Sequence, residues 1–164
     1  MRSFVRLGAG IVCGFLVGVS TGAAEPKVPG AQMTVEQIKT GAPAVHPATL
    51  YLLAKQLFER GERDEAVFWF YVGQLRYRFY LEANPHIDPT GDPALFSSLS
   101  EVIGLPINQY AFKNTAELVK TLGRVGEWDE KNPNGFTSKE NNHAVWLQVR
   151  QGFQKFIEDV KARG

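Results

Sequence analysis

Beyond its first two dozen residues the sequence has no cysteine, since the one cysteine among its 164 residues is Cys13. Removal of that first segment leaves no material for a disulfide framework, a thiolate metal site or a cysteine nucleophile. Charge of one sign is equally scarce in excess. Lys and Arg number 18 against 17 Asp and Glu, and loss of Arg2 and Arg6 brings the balance to about −1, so no broad field draws nucleic acid. Histidine is sparse: His46, His86 and His143 stand far apart, and no two share the helical spacing of a zinc site. No metal or cofactor is therefore implied. Long apolar runs are confined to the start, where Leu7 to Val19 carries no charge. That run is shorter than the roughly 20 residues needed to span a bilayer, and Gly8, Gly10, Gly14 and Gly18 interrupt it.

What is present at the start is a three-part secretory pattern. Arg2 and Arg6 precede the apolar run, and Ser20, Thr21, Gly22, Ala23 and Ala24 supply the small residues a signal peptidase needs. Residues 1–24 are expected to be a cleaved signal peptide, which places the chain in the periplasm or outside the cell with no stable membrane anchor. Cys13 follows Gly10, Ile11 and Val12 and does not resemble a lipoprotein site. The remaining 140 or so residues have the size of one domain.

Residues 25–45 hold Pro26, Pro29, Gly30, Gly41 and Pro43 and read as an extended lead-in with one short helical turn, where Thr34 and Gln37 have capping-box spacing. Residues 46–164 then read as a single all-helical domain. Pro47 suits a first helical turn, and Leu50, Leu53, Ala54, Leu57 and Phe58 follow at three- and four-residue spacing until Gly61. Asp64 is expected to cap the next helix, which runs to Asn84-Pro85 and is apolar almost all round. A strand is the competing reading of residues 67–72, but the length of the segment and its caps favour helix. Further helices are expected from Asp92-Pro93 to Gly104, after Pro106, from the Asn114 cap to Asn132-Pro133, and from Ser138 to the end. The fold class is all-α: five to six helices around a central aromatic-rich helix.

Within this pattern Leu50, Leu53, Ala54 and Leu57, then Gly61, then Ala66, Phe70 and Gly73 occur where a tetratricopeptide repeat carries its large and small residues. Residues 47–80 resemble one such helical hairpin, in which the small residues let two antiparallel helices approach closely. Arg78 replaces the usual proline near the end of the second helix. Asp88 stands where Ala54 would recur one period later, so there is no second copy and no solenoid. The resemblance implies a protein-binding habit.

Among polar residues, Gln74, Arg76 and Arg78 stand out because they lie inside the aromatic helix, and a guanidinium near a core must be paired or reach water. One reading pairs Arg76 and Arg78 with acids such as Glu101 or Asp129. The other makes Gln74, Arg76 and Arg78 an anion or acidic-peptide pocket walled by aromatics. Asp88 and Asp92 alternate like the start of a calcium loop, but Pro93 and Leu99 stand where glycine and a carboxylate are required, so a turn and a helix cap are expected. Glu65, Glu82 and Glu101 show no paired spacing. These residues point first to an exported binding protein that engages a protein partner, in a toxin-immunity or envelope-adaptor role. Its surface would combine Tyr51, Lys55 and Glu59 with the loop through His86 and Asp88. A small-molecule or anion binder is the alternative. A hydrolase using Glu101 ranks third.

Overall fold

A computed structural model of the chain describes residues 28–163. The expected signal peptide, residues 1–24, lies outside the described residues. Among those described are seven α-helices and no strand: α1 (Val35–Gly41), α2 (Pro47–Glu59), α3 (Arg63–Ala83), α4 (Asp92–Val102), α5 (Gly104–Ala111), α6 (Thr115–Lys131) and α7 (His143–Lys161). The fold is all-α, with more helices than the five to six expected, because the single turn of the lead-in is a full short helix.

Local chemistry accounts for most of the boundaries. Thr34 accepts from the Gln37 backbone while the Gln37 side chain accepts from the Thr34 backbone, closing the capping box that starts α1. Pro47 occupies the first turn of α2, and its cap is the imidazole of His46, whose Nδ1 accepts from the Ala48 N–H at 3.1 Å. Gly61 takes φ +84°, a left-handed conformation suited to glycine, and turns the chain into α3. Asn114 caps α6 by accepting from the Glu117 N–H.

Three expected starts differ. Asp92 is the first residue of α4 rather than its cap: Gly91 holds that position without a side-chain bond, and the Asp92 carboxylate accepts from the Tyr77 and Tyr80 hydroxyls. Asp64 does not cap α3: Glu62 occupies that position without a side-chain bond, and the Asp64 carboxylate accepts from the Tyr110 hydroxyl at 2.7 Å instead. Ser138 does not open the last helix, which begins at His143 after turns that bury Thr137 and Lys139. A long-range partner outcompetes local helix entry at Asp64 and Asp92, whereas the Ser138 hydroxyl still accepts from the Asn141 N–H, in a turn that precedes the helix.

α3 is the axis of the molecule. It packs against α2, α4, α5, α6 and α7, and its buried residues lie on every side, from Ala66 and Phe70 to Tyr71, Tyr77 and Phe79. The α2–α3 hairpin is the most extensive pairing. Gly73 sits where the two helices meet, and a Cβ there would lie 3.1 Å from Leu50 Cβ and from a Tyr51 ring carbon. The segment before His46 is part of the same core, since Val35, Ile38 and Ala42 are buried with it.

Candidate binding cleft

α5 and α7 both pack on α3 and leave the α3 face between them uncovered. The result is a cleft of about 480 Å³, within the range of ligand sites. Its floor is one stripe of α3 at helical spacing, Tyr71, Gln74, Arg78 and Glu82. Asn108 and Phe112 form the α5 wall. Gln148, Gly152, Phe153 and Phe156 form the α7 wall.

The chemistry of the walls is mixed. Phe112 is 41% exposed, high for a phenylalanine. Phe156 packs against Tyr71 with ring centres 5.9 Å apart. The Tyr71 hydroxyl, pushed above the ordinary phenol range by burial, donates to Asn108 Oδ1 at 2.8 Å. That bond fixes the Asn108 carboxamide by its oxygen and leaves its NH₂ as a donor. Arg78 and Glu82 are exposed, and no ion-pair partner is found for either among the described residues. At Gly152 an added Cβ would meet nothing within 4 Å, so this glycine leaves open space rather than permitting a close contact.

Arg76 does not belong to this site. It is 2% exposed, and it donates from Nε to Asp129 Oδ1 at 3.3 Å, from one terminal nitrogen to the Ala42 and Pro43 carbonyls, and from the other to those of Asn132 and Pro133. All five N–H donors are taken, and the guanidinium lies 4.5 Å from the Trp128 ring centre. The other oxygen of Asp129 accepts from the Trp146 indole at 2.9 Å. Lys139 donates to the Asp129 and Asn132 carbonyls. Burial pushes the Lys139 ammonium below its ordinary range, Asp129 opposes that, and Arg76 and Arg150 reinforce it. The structure thus separates Arg76, which ties loops together, from Gln74 and Arg78, which face the cleft.

The expected partner surface is dispersed. Tyr51 is fully buried, its hydroxyl 3.3 Å from Ser100 Oγ, and it cannot meet a partner. Lys55 and Glu59 are exposed and pair with each other beside a small groove under Phe58 and Val102. His86 and Asp88 are exposed at the opposite end of the hairpin, where Asp88 accepts from the Thr90 N–H and hydroxyl. Those two bonds hold its carboxyl below the ordinary range.

His46 does not lie free on the surface. Its Nε2 is 3.1 Å from Asp92 Oδ1, and Tyr77 and Tyr80 donate to the two Asp92 oxygens at 2.7 and 3.1 Å. His86 and His143 are exposed. Among the described residues no group of three or more His, Cys, Asp or Glu is placed to hold a metal ion. Glu101 is exposed on α4 and lines none of the clefts described. Glu65 bonds Trp69 and pairs with Lys39. Sequence reasoning missed Asn108, Phe112, Gln148, Gly152, Phe153 and Phe156 as site residues. One local sign was present: a glycine within the apolar stripe Val149, Phe153, Phe156 marks a place where nothing fills the space.

No family model matches the chain. No solved structure matches it significantly. Over 114 residues it is 30% identical to an uncharacterized protein of Haemophilus influenzae, a match that takes in 66% of this chain and 42% of that protein. The chain therefore spans less than half the length of the curated relative it matches.

Proposed function

We propose that the chain is an exported helical binding protein that engages a protein partner through the α3/α5/α7 cleft, in an envelope-adaptor or toxin-immunity role. The observation that carries this reading is the content of the cleft: an Arg78 with no ion-pair partner among the described residues, and several carboxamides beside the rings of Phe112, Phe153 and Phe156. Aromatic anchors ringed by polar groups are the usual anatomy of a recognition surface. The likeness of residues 47–80 to one tetratricopeptide hairpin supports the same reading. The alternative, a small anion binder, keeps Gln74 and Arg78 and loses Arg76, whose donors are all occupied.

Gly152→Leu tests the proposal without endangering the fold. Its side chain enters open space, and replacing a mid-helix glycine gains up to about 1 kcal/mol of helix propensity. Wild-type and variant proteins are used to capture partners from an envelope extract. The expected result is a stoichiometric partner on the wild type, lost on the variant, with the melting temperature unchanged or raised. Equal capture by both removes the cleft from the interaction. Thermal stabilisation by small carboxylates with no captured protein favours the anion-binding alternative.

A further inference from the structure

Resting on that reading of the cleft, we infer that its occupant is a short peptide segment of the partner carrying one acidic side chain beside a large apolar one, with a basic side chain on the far side of the acid. The order follows from the floor of the cleft. Arg78 and Glu82 are four residues apart on α3, neighbours on one helix face at about 5–6 Å, and no ion-pair partner is found for either among the described residues. A carboxylate set against Arg78 shares the cleft with Asn108, whose oxygen is already taken by the Tyr71 hydroxyl and whose NH₂ remains a donor. One turn further, Glu82 repels a second acid and favours a base. Across the floor, Phe112, Phe153 and Phe156 offer apolar surface to the third group.

Other carriers of a carboxylate fit less well. A hydrocarbon tail would cover Gln74 and Gln148 and leave their carboxamides without partners, at a cost a peptide avoids by offering an N–H and a C=O at every residue. A phosphate is served by clusters of arginine. Here a single arginine has an acid one turn away.

The experiment selects displayed random heptapeptides on the full exported chain, on Arg78→Glu and on Gly152→Leu. The wild type is expected to enrich an acid next to an aromatic or large aliphatic residue. Arg78→Glu is expected to keep the apolar residue and exchange the acid for a base, and Gly152→Leu to enrich nothing. A synthetic peptide of the selected sequence should lose about tenfold in affinity for Arg78→Glu and for Arg78→Gln. Changing its acid to lysine should restore binding to Arg78→Glu alone. Arg78 is exposed, so melting temperatures of the variants should match the wild type.

No enrichment on the wild type, or one consensus shared by wild type and Arg78→Glu, overturns the inference. So does decanoate binding at the cleft more tightly than any selected peptide, which would make the occupant a free lipid-derived acid. If Gly152→Leu abolishes partner capture while the library shows no acidic preference, the cleft remains the partner site and only its assigned peptide chemistry falls. If capture persists in Gly152→Leu, the partner reading itself falls.

Discussion

His46 joins a helix terminus to a distant loop through one ring. Nδ1 accepts the Ala48 N–H, which requires the proton to sit on Nε2, where it points at Asp92. Tyr77, Tyr80 and Phe136 surround the ring edge-on at 5.6, 5.8 and 4.6 Å. Burial lowers the affinity of the imidazole for a second proton, and Asp92 offsets this only in part. A second proton would also replace the Nδ1 acceptor with a donor facing the Ala48 N–H. The folded-state pKa therefore lies below the unfolded one, and between the two the unfolded chain binds more protons. Stability from this residue is full above the ordinary imidazole value of about 6.5 and is lost as pH falls from there through the folded-state value. Urea midpoints measured from pH 7.5 to 5 should decline in the wild type and decline less in His46→Asn, which keeps a capping side chain but does not titrate. Parallel curves for the two proteins would place the pH response elsewhere.

Among the elements, the α2–α3 hairpin has the least tolerance for added volume. The ideal Cβ at Gly73 is already 3.1 Å from Leu50 and Tyr51, both fully buried. Gly73→Leu should destabilise by roughly 1–3 kcal/mol or more, seen as a lower urea midpoint with an unchanged slope. Gly123→Leu on α6, where an added Cβ meets nothing within 4 Å, should not lower it. Equal midpoints in the two variants would argue against a tight crossing. The helices themselves were legible because their signals are local: Pro47, Gly61 and Asn114 act within one turn, and the apolar spacing names the buried faces. What escaped was set by distant groups. Asp64 reads as a cap until Tyr110, 46 residues on, claims its carboxylate. Asp92 reads as a cap until Tyr77 and Tyr80 claim its two oxygens. The pairing of Arg76 with Asp129 was foreseeable as one of two choices, but the four carbonyls completing its shell were not. The cleft was half visible. Gln74 and Arg78 announce themselves as polar residues in an apolar helix, whereas their opposing walls depend on how far apart α5 and α7 settle across α3.

For the molecule as a whole, the buried guanidinium of Arg76 makes two remote stretches of chain parts of one unit. It takes carbonyls from Ala42 and Pro43 on one side and from Asn132 and Pro133 on the other, with Asp129 supplying the countercharge. The Gly135 N–H donates to the Pro43 carbonyl, so the two stretches also touch directly. Composition marks residues 25–45 as a lead-in, yet their removal would do more than shorten the chain. Val35 and Ile38 each contribute about 1.5–3 kcal/mol of apolar burial. Two of the five acceptors of Arg76 would go with them, and a hydrogen bond to a charged group is worth about 1.5–3 kcal/mol. Together these approach the roughly 5–15 kcal/mol that holds a domain of this size. A chain beginning at His46 should therefore unfold without a cooperative transition, or with a midpoint far below that of one beginning at Val28. Arg76→Met in the shortened chain should recover part of the difference, because it removes the guanidinium whose Ala42 and Pro43 acceptors the deletion takes away. Equal midpoints for the two lengths would show that the first helix rests on the core without helping to hold it.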